Sequence, residues 1–85
     1  MRYAVFIHDS LVPLAPKSAI ERRRLMELIR LLGDHPFTRG DFREADPDGR
    51  NREVKIVGRY AVSWWADHAV KEIKVTNIQL ADARS

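Results

Sequence analysis

The sequence has no cysteine and no long hydrophobic run, and each absence excludes a class of protein. Without cysteine the chain can form neither a disulfide framework nor a metal site built on thiolates. No apolar segment approaches the roughly 20 residues that a helix needs to cross a bilayer. The start of the chain also lacks the charged and then apolar layout of a signal peptide. We therefore expect a cytoplasmic protein with no membrane partner.

The composition is that of one small folded domain. Of the 85 residues, 45% are hydrophobic and 32% are charged, which is ordinary for a globular chain. No repeat or long linker divides the sequence, so residues 1–85 are expected to form a single domain with a modest core. The net charge of +3 and the isoelectric point of about 9.7 favour nucleic acid or an acidic protein as a partner.

The first half of the chain predicts one strand and one helix. Residues 2–8, RYAVFIH, are rich in aromatic and β-branched side chains and are typical of a strand. Ser18 and Glu21 have the spacing of a capping box, in which each side chain binds a backbone N–H at the helix start. Gly33 suits the helix end, and Pro36 bars continuation. Between the predicted helix start and helix end, an apolar stripe at helical spacing is formed by Leu25, Leu28, Ile29 and Leu32.

The polar segment 33–51 raises the question of a metal site. Its acidic cluster lacks the spacing of a calcium loop and consists of Asp41, Glu44, Asp46 and Asp48. Residues 46–49, DPDG, fit a type I turn instead. The histidines are far apart in sequence and lack zinc-site spacing; they are His8, His35 and His68. We therefore expect turns in this segment, with neither a metal nor a cofactor.

Three further strands are predicted in the second half of the chain, over residues 52–57, 60–66 and 70–78. Their connections are so short that neighbouring strands must form antiparallel hairpins. One helical stripe and one sheet face must then cover each other. The sequence therefore predicts a two-layer α+β fold, in which one main helix packs on a four-stranded, mainly antiparallel sheet in the order β-α-β-β-β.

The adjacent tryptophans of the middle strand, Trp64 and Trp65, must point to opposite faces of the sheet. We place Trp64 inward because it alternates with Tyr60 and Val62, a bulkier set than the residues between them. This register pairs Ile56 with Tyr60 across a three-residue loop, whereas a two-residue loop would slip the register by one. The predicted core contains Val5, Ile7, Leu25, Leu28, Ile29, Leu32, Val54, Ile56, Val62, Trp64, Ile73 and Val75.

The opposite face of the sheet is expected to carry aromatic rings beside lysines. Its predicted members are Phe6, Lys55, Ala61, Ser63, Trp65, Lys74 and Thr76. Such a surface is typical of a stacking platform for single-stranded nucleic acid or of a contact patch for a protein. The alternative is that loops or the C-terminal tail cover Trp65.

Nearly the whole chain resembles the RelE/ParE superfamily of toxins from bacterial type II toxin–antitoxin pairs. The resemblance is carried by RYAVFI, by LIRLLGDHPF and by REVKIVGRYAVSWWADHAVKEIKV. It implies a toxin that is held inactive by a cognate antitoxin with an acidic or amphipathic segment. RelE-like members cut mRNA in the ribosomal A site, whereas ParE-like members poison DNA gyrase without nuclease chemistry.

The resemblance also suggests site residues. In RelE-like members, cations on the open sheet face stabilise the charge that develops when an RNA 2′-hydroxyl attacks the adjacent phosphate. Lys55 matches one of these cations, whereas other cationic positions of the family fall at Glu53, Ala61 and Leu80, and no tyrosine follows Tyr60. The predicted catalytic residues are Lys55, Arg59 and His68. The predicted RNA-binding residues are Arg50, Arg52 and Trp65.

Three functions therefore stand at this point. They are a ribosome-dependent mRNA endoribonuclease, a non-catalytic gyrase inhibitor, and an inactive toxin-like protein that only binds its partner. The expected partners are the antitoxin together with the ribosome and mRNA, or gyrase in the second case. We expect the antitoxin to cover the open sheet face or a groove beside the helix, and so to mask Trp65 and Lys55.

Overall fold

Five strands and one long helix form the part of the chain that this computed structural model describes, which comprises residues 2–84 and the side chains up to residue 82. In chain order the elements are strand β1 (Ala4–Ile7), a 3-10 helix (Asp9–Leu14), helix α1 (Ala19–Asp34), strands β2 (Phe42–Ala45), β3 (Asn51–Val57), β4 (Tyr60–Asp67) and β5 (Glu72–Leu80), and a second 3-10 helix (Ala81–Arg84). No helix within residues 2–84 is long and apolar enough to cross a membrane.

The sheet has five strands in the order β1-β5-β4-β3-β2, so the prediction of four strands was wrong. Strand β1 pairs with β5 in parallel, and the other pairs are antiparallel. The extra strand, β2, arises within the segment predicted to contain only turns. The sequence of β2, FREA, does not alternate between apolar and polar residues and so did not predict a strand. The segment is a strand because it pairs with β3 through backbone hydrogen bonds. The α+β class and the helix packed on a mixed sheet are confirmed.

The turn between β2 and β3 forms where the sequence predicts it. The backbone N–H of Gly49 donates to the carbonyl of Asp46 at 2.9 Å. One carboxylate oxygen of Asp46 also accepts from the N–H groups of Asp48 and Arg50, at 3.0 Å each. The Asp46 carboxylate thus accepts from two backbone N–H groups of the turn, and it fixes the position of Arg50 just before β3.

Helix α1 starts as predicted but uses only half of the capping box. Ser18 Oγ accepts from the N–H of Glu21 at 3.4 Å, while the Glu21 carboxylate turns away to the β3–β4 connection. Gly33 lies inside the helix rather than after it, and its carbonyl accepts from the N–H of Tyr3 at 2.8 Å. A Cβ at Gly33 would lie 3.2 Å from the Tyr3 carbonyl, so the glycine permits close contact between α1 and β1.

The core lies between α1 and one face of the sheet. Leu25, Leu28 and Leu32 of the helix pack in one cluster with Trp64, which is only 1% exposed. The inward orientation of Trp64 is therefore confirmed. Residues of this cluster that were not predicted are Tyr3, Leu11, Val57 and Ile78. Val5, Ile7 and Ile29 pack against it while remaining partly exposed.

The predicted register between β3 and β4 was wrong by one residue. Val57 pairs with Tyr60 across a two-residue turn, in which Gly58 has a φ of +61°. Lys55 therefore lies opposite Val62 on the core face. Alternation could not reveal this register, because β3 ends with two consecutive apolar residues and either could face the helix. The turn decides between them.

Two predicted core residues consequently belong to the other face of the sheet. Val54 pairs with Ser63 and Ile56 pairs with Ala61. Ile56 is 39% exposed, and Val54 is buried but lies outside the main core cluster. Val57 takes the core position on β3 instead.

A register shift between β4 and β5 explains why Ile78 joins the core. Val62 pairs with Ile78, whereas the next core residue of β4, Trp64, pairs with Val75. The extra residue on β5 keeps Ile78 and Val75 on one face although they are three positions apart. Strict alternation along β5 could not predict this. The β4–β5 connection also differs from the prediction, since it spans residues 68–71 and includes Lys71 at a φ of 58°.

Neighbouring leucines of α1 test this core. Leu32 is fully buried and Leu31 is 41% exposed. We expect Leu32→Ala to lower the free energy of unfolding by about 2–5 kcal/mol, because it leaves a cavity in the main cluster. Leu31→Ala should lower the free energy of unfolding far less, because this side chain is partly exposed. Urea unfolding of both variants checks this, and equal losses would show that the helix faces the sheet differently.

Candidate functional site

The face of the sheet turned away from α1, here called the open face, carries two aromatic side chains in one row. Phe6 of β1 pairs with Lys74 of β5, and Lys74 pairs with Trp65 of β4. Phe6 is 51% exposed, and Trp65 is half-buried. The prediction that Trp65 points away from the helix is confirmed, and so are the open-face positions of Phe6 and Lys74.

Two cations contact the ring of Trp65. The Arg50 guanidinium carbon lies 3.9 Å from the ring centroid, and Lys74 Nζ lies 5.0 Å from it. Both distances are within cation–π range. Arg50 reaches the ring from the turn before β3, and Lys74 comes from β5 on the other side. Lys74 is also held by carboxylates, since its Nζ lies 3.7 Å from both Asp67 and Glu72.

Arg52 lies on the open face as well, opposite Glu44 of β2. Its side chain is partly buried, and within residues 2–84 its Nε makes no hydrogen bond. A buried donor without a partner is uncommon in folded proteins. The structure therefore brings the three predicted RNA-binding residues, Arg50, Arg52 and Trp65, to one face of the sheet.

Lys55 is not on that face, contrary to the prediction. It lies opposite Val62, on the side of the sheet that α1 covers. Its Nζ lies 3.6 Å from the Asp41 carboxylate, and its side chain is 38% exposed. Lys55 lines a groove of about 310 Å³ together with Arg24 and Leu31 of α1. The one-residue difference in register moved it there.

Arg59 ties the β3–β4 turn to the start of α1. Its Nη2 donates to Glu21 Oε1 at 2.9 Å and its Nε to Oε2 at 3.2 Å. Its backbone N–H donates to the same Oε2 at 3.0 Å. These hydrogen bonds lower the pKa of Glu21, and the carboxylate in turn raises the pKa of Arg59. A Cβ at Gly58 would lie 2.8 Å from Glu21 Oε2 and would displace the carboxylate, and the φ of +61° also favours glycine.

His68 packs between Tyr3, which precedes β1, and Phe37, which follows α1. Its Nδ1 hydrogen-bonds the hydroxyl of Tyr3 at 2.9 Å, and Tyr3 itself is buried. Its ring stacks on Phe37 with centroids 4.6 Å apart. His68 also lines a cleft of about 320 Å³ that reaches Trp65. Of the three predicted catalytic residues, His68 alone lines a cleft with a predicted RNA-binding residue.

The arrangement is suited to binding planar and anionic groups, and the predicted catalytic residues are dispersed. Lys55 faces the helix, Arg59 is bound to Glu21, and His68 is bound to Tyr3. Sequence reasoning missed these partners because no local spacing signals them; the Tyr3–His68 pair spans 65 residues. Within residues 2–84 no group of three or more histidine and acidic side chains is placed to hold a metal.

Comparison with known proteins supports the fold. No protein-family model and no curated protein match the sequence. A solved structure that matches is the crystal structure of the archaeal RelE–RelB complex from Pyrococcus horikoshii OT3, with a TM-score of 0.77. The match covers 100% of this chain and 100% of that chain, at 23% sequence identity. The predicted RelE-like fold is thereby confirmed.

The Glu21–Arg59 pair predicts a pH dependence of stability. Because the pKa of Glu21 is lowered below its ordinary value of 4.5, its contribution is present above that value and is lost as the pH falls through the lowered pKa. We expect Glu21→Gln to lower the melting temperature at pH 7 and to lower it less at pH 3. Glu27→Gln, an exposed glutamate on the same helix, is the control. An equal loss for Glu21→Gln at both pH values would contradict the assignment.

Proposed function

We propose that this protein is the cytoplasmic toxin of a toxin–antitoxin pair and that it stops translation by cutting mRNA on the ribosome. The observation that carries the proposal is the full-length match in fold to the RelE–RelB complex, which leaves no part of either chain unmatched. The composition is consistent with it, since a net charge of +3 favours anionic partners.

The open face supports contact with RNA. Trp65 and Phe6 offer aromatic surfaces, and bases stack on such rings with little dependence on sequence. Arg50 places a guanidinium beside Trp65, where it could bind a backbone phosphate. We therefore propose that Arg50, Arg52 and Trp65 bind RNA.

Lys55 remains the residue we propose as the main catalytic cation. It projects from the middle of a strand, so its position is well defined. Its ion pair with Asp41 is long, at 3.6 Å, and the side chain is partly exposed, so a phosphate could compete for it. Arg59 and His68 are proposed as assisting groups, although each already has an internal partner.

A second candidate, a gyrase inhibitor without nuclease chemistry, is favoured by the dispersal of these three residues. A cleavage site needs its cation and its proton-transfer groups around one phosphate. Here Lys55 faces α1, while His68 lies beyond the opposite end of β4. A protein that only binds its target does not need these groups to meet. An inactive toxin-like binding protein would fit the same geometry.

Induced expression distinguishes these functions. If the protein cuts mRNA, amino-acid incorporation should fall first, and primer extension should show cut transcripts. Lys55→Ala should relieve the growth arrest, whereas Lys17→Ala, which removes an exposed lysine before α1, should not. Arrest by both variants with a loss of DNA supercoiling and intact mRNA would instead support gyrase inhibition.

We propose one surface for the antitoxin. Lys55 and Trp65 lie on opposite faces of the sheet, so one straight segment cannot mask both. The groove between α1 and β3 has apolar walls formed by Leu28, Leu31 and Val57, with Arg24 and Lys55 beside them. Because the two cations outnumber the one acid that lines this apolar groove, Glu27, we propose that the groove binds an acidic amphipathic segment.

Two exposed residues on opposite flanks of α1 test this surface. Leu31 is 41% exposed on the side of β3, and Met26 is 52% exposed on the side of β1. We expect Leu31→Glu to weaken binding of the cognate antitoxin at least about tenfold, since it puts an acid where an acidic segment docks. Met26→Glu should leave binding unchanged in a co-purification or titration. The reverse pattern would place the partner on the β1 side.

A further inference from the structure

Phe6 and Trp65 flank a single residue, Lys74, on the open face. Each ring belongs to a strand adjacent to β5, so the two Cα atoms are about 9.5 Å apart at ordinary strand spacing. A cleft of about 470 Å³ lies there, lined by both rings, by Lys74 and by His8. It is distinct from the cleft that contains His68 and Phe37.

The separation of β1 and β4 leaves room for one planar ring between the side chains of Phe6 and Trp65, which line one cleft. Stacked aromatic rings have centroids about 4.5–7 Å apart, so a ring inserted between two others needs them about 9–14 Å apart. The Cα separation across β5 falls within this range, and the cleft of about 470 Å³ that both side chains line provides the space for the inserted ring. Lys74 lies between the two rings with its Nζ 5.0 Å from the Trp65 centroid, so an inserted ring would displace this ammonium from Trp65 and leave the aliphatic stem as the floor of the slot.

The charges around the slot favour a neutral ring rather than a phosphate. The Lys74 ammonium lies 3.7 Å from the carboxylates of both Asp67 and Glu72, and Asp9 also lines the cleft. The positive charge of Lys74 is therefore balanced within the protein. Arg50 contacts Trp65 but does not line the cleft, so it is placed for a phosphate outside the slot.

His8 gives the slot a polar side. The backbone N–H of Ser10 donates to His8 Nδ1 at 3.0 Å, and Ser10 Oγ lies 2.8 Å from the same nitrogen. A backbone N–H can only donate, so Nδ1 accepts and the proton of the neutral ring is on Nε2. His8 can therefore donate a hydrogen bond to the edge of a ring held in the slot.

We propose that this slot holds one unpaired nucleobase of single-stranded RNA, stacked between Phe6 and Trp65. The choice of RNA rests on the proposed function, whereas the preference for a planar, uncharged ring rests on the spacing and charges of the slot. Stacking rather than ion pairing then supplies most of the affinity, and the site tolerates different bases.

Tryptophan fluorescence tests the slot with purified protein. Trp64 is 1% exposed, so an added ligand can reach only Trp65. A short oligoadenylate should quench this signal saturably, adenosine should compete, and inorganic phosphate should not. The logarithm of the affinity should fall linearly with the logarithm of the salt concentration with a slope of about −0.7, as for a single phosphate contact.

Substitution of Phe6 is the decisive comparison. Phe6→Leu should weaken binding roughly 5- to 150-fold, the effect of losing one stacking partner. Phe6 is half exposed, so the fold should survive, which circular dichroism checks. The matched control is Phe37→Leu, since Phe37 is 74% exposed and lines the other cleft that reaches Trp65.

The inference is overturned if oligoadenylate does not quench, if phosphate competes as well as adenosine, or if Phe37→Leu weakens binding more than Phe6→Leu. Its failure is separable from failure of the proposed function, which is measured in cells. If the protein arrests growth and cuts mRNA but Phe6→Leu does not change binding, only the slot proposal is wrong. If binding depends on Phe6 but the protein causes no growth arrest, only the toxin proposal is wrong.

Discussion

The turn at Gly58 and Arg59 determines which side of β3 faces the helix, and the surfaces of the protein depend on it. A two-residue connection pairs Val57 with Tyr60 and so assigns every residue of β3 to a face. Glu21 holds the turn by accepting from both the backbone and the guanidinium of Arg59. Gly58 suits the turn because its φ of +61° favours glycine and because a Cβ there would displace this carboxylate. One ion pair between α1 and the turn therefore helps to set the register of the sheet.

This register divides the cations of the protein between two surfaces. Lys55 joins Arg24 beside the apolar groove on the helix side, whereas Arg50 and Lys74 contact Trp65 on the open face. The proposed antitoxin would therefore compete with RNA for Lys55 in the groove, while Arg50, Lys74 and Trp65 on the open face would stay uncovered. If the partner inhibits the toxin through the groove, it acts by masking Lys55 or by excluding the protein from its target, and not by covering the aromatic rings.

Much of the fold could be predicted from local patterns, and the rest depended on longer-range contacts. Leu25, Leu28 and Leu32 repeat at helical spacing, and the bulk of Tyr60, Val62 and Trp64 oriented β4 correctly. Strand β2 carries no apolar pattern, and the extra residue in β5 breaks the alternation that would have revealed Ile78. In β3, two adjacent apolar residues, Ile56 and Val57, made both registers plausible.

The candidate site was predictable to the same extent. Trp65 could be placed because its neighbour Trp64 must be buried, and Arg50 follows from the well-signalled turn at residues 46–49. Lys55 was placed on the wrong face because its position depends on the β3 register. The partners of Arg59 and His68 come from distant parts of the chain, so their structural roles had no local signal.

The register of β3 is the claim on which the two-surface account depends, and nuclear Overhauser contacts across the β3–β4 hairpin measure it directly. Side chains of directly paired residues have Cβ atoms about 4.5–5.5 Å apart. The account predicts strong cross-peaks between the side chains of Lys55 and Val62 and between those of Ile56 and Ala61. Cross-peaks between Ile56 and Tyr60, with Lys55 close to Ala61, would show the three-residue loop and would return Lys55 to the face of the sheet that carries Trp65.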